Sequence, residues 1–277
     1  MMNNTKTALK EFYQQVGEKY PEEDQVYHTL RGMLRKQFIL RHLEKFHGSL
    51  LDIGCNQGMY LRAYKNGSRF GIDLSQSVLK KAKSRLDNQT VIHFAVGDSE
   101  NLFFFKPNSF DHVLCSEVLE HCLHPQKVFD SIAHVLKPGG IALLTTPNYT
   151  RHRPEWIDLG ALKDYNIHSD CEQGYFHTAY KPEELGAFAR VAGLQVRELG
   201  TLEKEVKYAA KIPAAFLLLN RLLNRKLIHS QKFSEWNEHF FDKFQLAVYH
   251  LSRLIFLNHI LVKIISNGVR SYIIMEK

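Results

Sequence analysis

The sequence is short of the features that mark secreted, membrane-spanning and metal-clustered proteins. Four cysteines are spread over 277 residues, at positions 55, 115, 122 and 171, and none forms a Cys-x-x-Cys pair. That spacing argues against a disulfide framework, so reduced thiols are expected. Residues 1–10 are polar and hold no apolar core, so no secretory signal is read and a cytoplasmic setting is expected. The long apolar-rich stretch 246–265 is interrupted by His250, Arg253, His259 and Lys263, which is too polar for a membrane span. No internal repeat or low-complexity tract is present. His168, Cys171 and His177 lie near one another, but no fourth ligand accompanies them, so no metal is expected.

What is present is the composition of a globular chain, 44% hydrophobic and 23% charged. The net charge of +7 is uneven: residues 1–200 carry 24 Lys/Arg against 23 Asp/Glu, and residues 201–277 carry 12 against 6. Basic segments prefer anionic partners, so the last quarter has its own bias.

Residues 5–47 read as helical, with Leu30, Leu34, Phe38 and Leu43 at helical spacings and Pro21 interrupting them. From residue 49 short apolar runs alternate with helical stretches. Strands are expected at 50–54, 69–73, 91–96, 110–115, 141–146 and 194–199. Helices are expected at 58–64, 75–86, 125–136 and 181–192, with Ser75 capping the second and Lys137-Pro138-Gly139-Gly140 ending the third. Such alternation predicts parallel βαβ units with helices on both faces of the sheet. Ligands of such sheets bind beyond the carboxyl ends of the strands.

Polar residues collect at those ends. Gly54 and Gly58 let the first loop turn sharply and lie against a ligand without a Cβ in the way. Asp73 follows about 20 residues later, where a carboxylate can accept both hydroxyls of a ribose. Gly97-Asp98-Ser99 follows the third strand and Ser116-Glu117 the fourth. The loop reads Gly-x-x-x-Gly with Asn56 in the middle. It is not the Gly-x-Gly-x-x-Gly of dinucleotide sites, so a nucleoside ligand without a pyrophosphate is favoured over NAD.

Together these runs identify a family resemblance. Leu51-Asp52-Ile53-Gly54-Cys55-Asn56-Gln57-Gly58 resembles motif I of the class I S-adenosylmethionine-dependent methyltransferases, with Asn56 where many members have glycine. Gly71-Ile72-Asp73-Leu74-Ser75 is similar to their ribose-binding strand, and Gly97-Asp98-Ser99-Glu100-Asn101-Leu102 to the adenine-side motif. Ser116-Glu117-Val118-Leu119-Glu120-His121 looks like the fourth-strand signature. Val135 to Gly140 and Thr145-Thr146-Pro147-Asn148 look like the turn into the fifth strand and its end. The resemblance covers residues 48–200 and is nearest to the ubiquinone- and menaquinone-biosynthesis type, which acts on small molecules.

The resemblance implies a Rossmann-like α/β fold with a seven-stranded sheet and S-adenosyl-L-methionine as cofactor. Residues 1–47 would form an N-terminal helical cap, 48–200 the cofactor-binding domain, 201–268 a helical insertion, and 269–277 a last strand pairing with 194–199. Gly54, Asn56 and Gly58 would cradle the methionine part of the donor, with Asp52 also counted among the cofactor-binding residues. Asp73 would hold the ribose, Leu74 would pack on adenine, and Asp98 and Ser99 would meet the adenine edge, with Ser116 completing the set. His121 is a candidate general base, because imidazole titrates near neutrality. His177 is a candidate on the acceptor side. His124, His152 and His168 are read as surface or loop residues.

Transfer to a small or lipid-like acceptor, on oxygen and by in-line displacement, is the expected reaction. The insertion holds apolar helical stretches at 212–223 and 246–265, which suit a lid over the acceptor. Beside basic residues, the same stretches suit the inner face of a membrane. The basic last quarter also raises an RNA acceptor, but its charges are interleaved with long apolar runs and no RNA-binding module is visible. A non-catalytic donor-binding protein is the third reading.

Overall fold

The computed structural model describes residues 2–20, 26–87, 89–169 and 174–277. Pro21 and Cys171, and with them the expected helix break and the His168–Cys171–His177 grouping, lie outside the described residues. The chain divides into two compact units. The first gathers the described residues of Met1–Glu23, Ile39–Gly200 and Arg270–Lys277, and the second those of Asp24–Phe38 and Thr201–Val269.

The first unit is built on seven strands: β1 (Leu50–Ile53), β2 (Arg69–Asp73), β3 (His93–Val96), β4 (Phe110–Ser116), β5 (Leu136–Pro147), β8 (Gln195–Leu202) and β9 (Arg270–Glu276). Their order across the sheet is β3-β2-β1-β4-β5-β9-β8. Strands β1 to β5 run parallel and β9 pairs antiparallel with β5, Leu143 opposite Ile274. The parallel strands are those expected from the strand–helix alternation, and the seven-stranded sheet is the one the family resemblance implies. Leu50, Leu51, Asp52 and Ile53 of β1 are all buried, as a central parallel strand covered on both faces must be. The helix α5 (Pro125–Val135) buries Val128, Phe129, Ile132 and Val135, spaced along one helical face, in the core cluster with Leu51, Val113 and Leu144.

Helix α4 (Gln76–Ser84) begins as expected, with the Ser75 hydroxyl accepting from the Val78 N–H at 3.4 Å. Helices α1 (Met2–Lys19), α2 (Leu30–Leu43), α3 (Met59–Ala63) and α6 (Pro182–Val191) complete the elements named so far.

Two local expectations are corrected and one element is added. The segment 137–140 is not a turn ahead of β5 but part of it, entering through a shift of register opposite Phe110 and His112. A hairpin of two-residue strands, β6 (Trp156–Ile157) and β7 (Tyr175–Phe176), was not foreseen. The stretch 246–265 is not one helix: α9 (Gln231–Leu254) and α10 (Leu257–Ile264) are separated at Phe256, whose φ is 59°.

The second unit packs Leu30, Val206, Tyr208, Ala209 and Tyr249 into a core of its own. Besides α9 and α10 it holds α7 (Lys204–Ala209) and α8 (Lys211–Leu223). Asn237 joins α9 to α8, accepting from Asn220 at 2.8 Å and donating to the Leu217 carbonyl at 3.2 Å. Among the described residues no helix is long and apolar enough to cross a membrane.

Candidate active site

The strand order places the switch at β1, which has β2 on one side and β4 on the other. The crevice beyond their carboxyl ends is where an open parallel sheet receives a ligand. The loop after β1 carries three left-handed residues within five, Gly54 (φ 68°), Asn56 (φ 47°) and Gly58 (φ 76°). Asparagine is among the few side chains that tolerate this region, so Asn56 keeps the path that a glycine would take. A Cβ on Gly54 would stand 2.3 Å from Val118 Cγ2, so no side chain fits between this loop and the segment after β4.

Asp73, at the end of β2, ties the loops together. Its Oδ2 accepts from the Asn56 N–H at 3.0 Å and its Oδ1 from the Ser75 N–H at 2.9 Å. Its carbonyl accepts from the Gly97 N–H at 3.1 Å, which fixes the start of the next loop. In that loop Asp98 accepts from the Glu100 N–H at 2.9 Å, and Ser99 Oγ lies 3.3 Å from Cys122 Sγ. Leu74 is half-buried beside Asp73. Asp52 is only 2% exposed, and its Oδ2 has no hydrogen-bond partner among the described residues. Burial and, after it, the neighbouring Asp73 hold the Asp52 carboxyl well above the usual range. Burial raises Asp73 as well. Two desolvated carboxyls side by side favour a cationic guest.

The end of β4 leads to a different chemistry. Ser116 shares a hydrogen bond with Thr145 Oγ1 at 3.0 Å, and Thr145 donates to Glu117 at 3.1 Å. Glu117 also pairs with Arg270 at 2.8 Å, so β9 contributes a charge that no sequence motif announced. A single 3-10 turn, Leu119–His121, follows. It presents Glu120, which is 1% exposed and accepts from Thr146 Oγ1 at 3.0 Å, and His121, whose Nε2 lies 3.9 Å from Glu120 Oε1.

His177 arrives from the far side. The β6–β7 hairpin ends at Phe176, the His177 N–H bonds to the Glu155 carbonyl, and the Thr178 N–H bonds to the Glu120 carbonyl at 2.9 Å. The rings of His121 and His177 thereby stand 4.9 Å apart, edge to face. Helix α1 closes the group: Tyr13 Oη lies 2.5 Å from His121 Nδ1, and Phe12 stacks on Tyr175 at 5.0 Å.

Burial sets the charges here. It lowers His121 to about 3, with the His177 ring adding to the effect. His177 is lowered too, by burial first and Arg270 second. Burial, with Glu117 beside it, raises Glu120. Both imidazoles are therefore neutral at pH 7, and burial opposes the charge that either ring would take on with a proton.

The structure thus brings Asp52, Gly54, Asn56, Gly58, Asp73, Leu74, Asp98 and Ser99 to the ends of the first three strands. His121 and His177 meet each other beyond β4, with Ser116 between the two groups along the chain. Sequence reading missed Tyr13, Glu120, Thr146 and Arg270. Glu120 and Thr146 stand in the fourth- and fifth-strand runs that carry the family resemblance and could have been found from those; Tyr13 and Arg270 are distant in sequence and carry no local signal.

The chain is similar to known methyltransferases. The family described as "Methyltransferase domain" matches residues 51–144. A Ubiquinone biosynthesis O-methyltransferase of Chromobacterium violaceum is 30% identical over 203 residues, 72% of this chain and 87% of that protein. Its namesake in Xanthomonas euvesicatoria pv. vesicatoria is 32% identical over 174 residues, 60% of this chain and 70% of that one. Among solved structures, Haemonchus contortus phosphoethanolamine N-methyltransferase 2 in complex with S-adenosyl-L-methionine matches with a TM-score of 0.52. At 20% identity, over 88% of this chain and 52% of that one, it speaks for the fold alone.

Proposed function

The chain belongs to the class I S-adenosylmethionine-dependent methyltransferases, and from that premise we propose that it methylates a hydroxyl of a small, lipid-like acceptor. S-adenosyl-L-methionine is the cofactor. The site fits it on one observation: the buried Asp52 carboxyl, whose Oδ2 has no hydrogen-bond partner among the described residues. When bound, the donor supplies an electrophilic methyl on a sulfonium.

In this reading Asp52 and the backbone from Gly54 to Gly58 hold the donor's cationic methionine end. Asp73 takes the ribose hydroxyls, Leu74 covers the adenine face, and Asp98 and Ser99 meet its edge, with Ser116 at the limit of the pocket. The protein's main task is alignment of methyl and acceptor atom in line, which supplies much of the rate enhancement in such reactions. The observation that carries an oxygen acceptor is the neutral His121–His177 pair just past β4. A phenolic hydroxyl loses a proton as it is methylated, and the neutral His177 imidazole can take it, burial making His121 the poorer acceptor. Two relatives bearing the name O-methyltransferase support the same choice.

The test is a mass-spectrometric screen of the purified chain with S-adenosyl-L-methionine and a panel of catechols, phenols, amines and carbon acids. The expected result is a product carrying one added methyl on oxygen, formed in step with S-adenosylhomocysteine. Products methylated only on nitrogen or carbon would overturn the oxygen reading.

The helical unit supports the lipid-like part. On α8, Ile212, Phe216, Leu219 and Leu223 recur at helical spacing and each is at least 40% exposed. Arg221, Arg225 and Lys226 lie on or just beyond the same helix. An exposed apolar stripe beside basic residues suits an anionic lipid surface, where a prenylated acceptor would reside. The chain is expected to co-sediment with phosphatidylserine vesicles far more than with phosphatidylcholine vesicles, and Phe216→Glu with Leu219→Glu should abolish it. Sedimentation that the double variant leaves unchanged would sink this docking surface.

A further inference from the structure

We propose that Gln57 determines which end of the donor's methionine arm this loop reads: its side-chain oxygen accepts from the amino group. The inference rests on the placing of that arm beside Asp52 and the loop after β1, and it adds a residue and an orientation to that reading.

The backbone around Gln57 is pinned on both sides. Its neighbours Asn56 and Gly58 are left-handed, with φ of 47° and 76°. The Gly58 N–H donates to the Cys55 carbonyl at 2.8 Å and closes the turn, and the Gly58 carbonyl accepts from the Arg62 N–H of α3 at 2.9 Å. The Arg62 guanidinium donates to the Gln57 carbonyl as well. The side chain carried on this turn is 4% exposed, and its Oε1 is buried with no hydrogen-bond partner among the described residues. Five residues earlier, Asp52 Oδ2 is in the same state. A buried oxygen without a donor lowers stability, and folded chains seldom keep one unless a ligand or water supplies the hydrogen.

Two unpartnered oxygens on one loop select among the groups of S-adenosyl-L-methionine. In the reading above, Asp73 takes the ribose hydroxyls, and Asp98 and Ser99 take the adenine edge. The carboxylate of the methionine arm has no hydrogen to give and would face two oxygens. The amino group, as an ammonium, has three N–H donors and can serve both oxygens at once. The arm therefore lies with its amino group against Asp52 and Gln57. The two side chains contribute differently: the Asp52 carboxyl favours any cation, whereas the Gln57 oxygen adds a directional hydrogen bond to a charged donor.

The experiment titrates the full chain calorimetrically with S-adenosylhomocysteine and with its deamino analogue, which carries hydrogen in place of the amino group. The proteins are the wild type, Gln57→Leu, Gln57→Glu and Asp52→Asn. The wild type is expected to prefer S-adenosylhomocysteine. Gln57→Leu, similar in size but without the acceptor, should lower that preference at least tenfold, the scale of one hydrogen bond to a charged group. Its Kd for the deamino analogue should stay within threefold of the wild type, which also verifies that the variant is folded. Gln57→Glu keeps an acceptor and should hold the preference at the wild-type level or raise it. Equal weakening of both ligands by Gln57→Leu overturns the proposal, because the side chain then supports the loop or meets the carboxylate. If Asp52→Asn lowers the preference and Gln57→Leu does not, the role of Gln57 falls and the placing of the arm stands. If neither variant lowers it, both fall.

Discussion

Asp73→Ala is expected to weaken binding of S-adenosyl-L-methionine by about 100-fold or more. A carboxylate that accepts both ribose hydroxyls makes two charge-assisted hydrogen bonds, each worth about 1.5–3 kcal/mol, and a total near 3 kcal/mol is about 100-fold in Kd. The alanine also removes the acceptor for the Asn56 and Ser75 N–H groups, 3.0 and 2.9 Å away. Those bonds hold a loop with three left-handed residues in five, so the cradle for the methionine end loosens as well. Asp73→Asn separates the two effects. It keeps the shape and one acceptor oxygen, and should fall between the wild type and the alanine variant. Calorimetric titration of the three proteins decides the matter. An alanine variant that binds within threefold of the wild type would remove Asp73 from the donor site and reopen the assignment of Asp52, Asp98 and Ser99 with it.

The reason this half of the site could be read from sequence is that it is local. Gly54, Asn56 and Gly58 occupy one turn, and Asp73, Asp98 and Ser116 each end a strand that announces itself by a short apolar run. A parallel sheet then carries successive strand ends to one edge without further information. The acceptor side obeys no such rule. Tyr13 and His121 are 108 residues apart and meet because α1 packs beside the turn after β4. His177 is delivered by a hairpin of two-residue strands, too short for alternation to register. Arg270 reaches Glu117 only because the last strand inserts antiparallel between β5 and β8. The break at Phe256 was hidden for another reason: a phenylalanine with φ of 59° violates local preference. Local pattern therefore located the crevice proposed for the donor, and topology alone assembles what faces it.

That division gives the second large effect its diagnostic shape. His177→Ala is expected to lower kcat by about 100- to 10,000-fold, the usual contribution of a positioned proton acceptor, while the Kd for S-adenosyl-L-methionine stays within threefold. His177 is half-buried and follows a surface hairpin. Its N–H bond to the Glu155 carbonyl is made by the backbone and survives truncation of the ring. A variant that folds, binds donor and fails to turn over is therefore the expected phenotype. The split between donor affinity and turnover matters because a residue with a purely structural role would lower thermal stability and donor binding together. His177→Gln sharpens the contrast: the amide fills much of the space and can hydrogen-bond, but it cannot take up a proton at neutral pH. If His177→Gln turns over at the wild-type rate, the ring is a packing element and the proton must leave by another route. If both variants lose kcat alike, the imidazole that the hairpin places 4.9 Å from His121 is what the fold gains from carrying that hairpin.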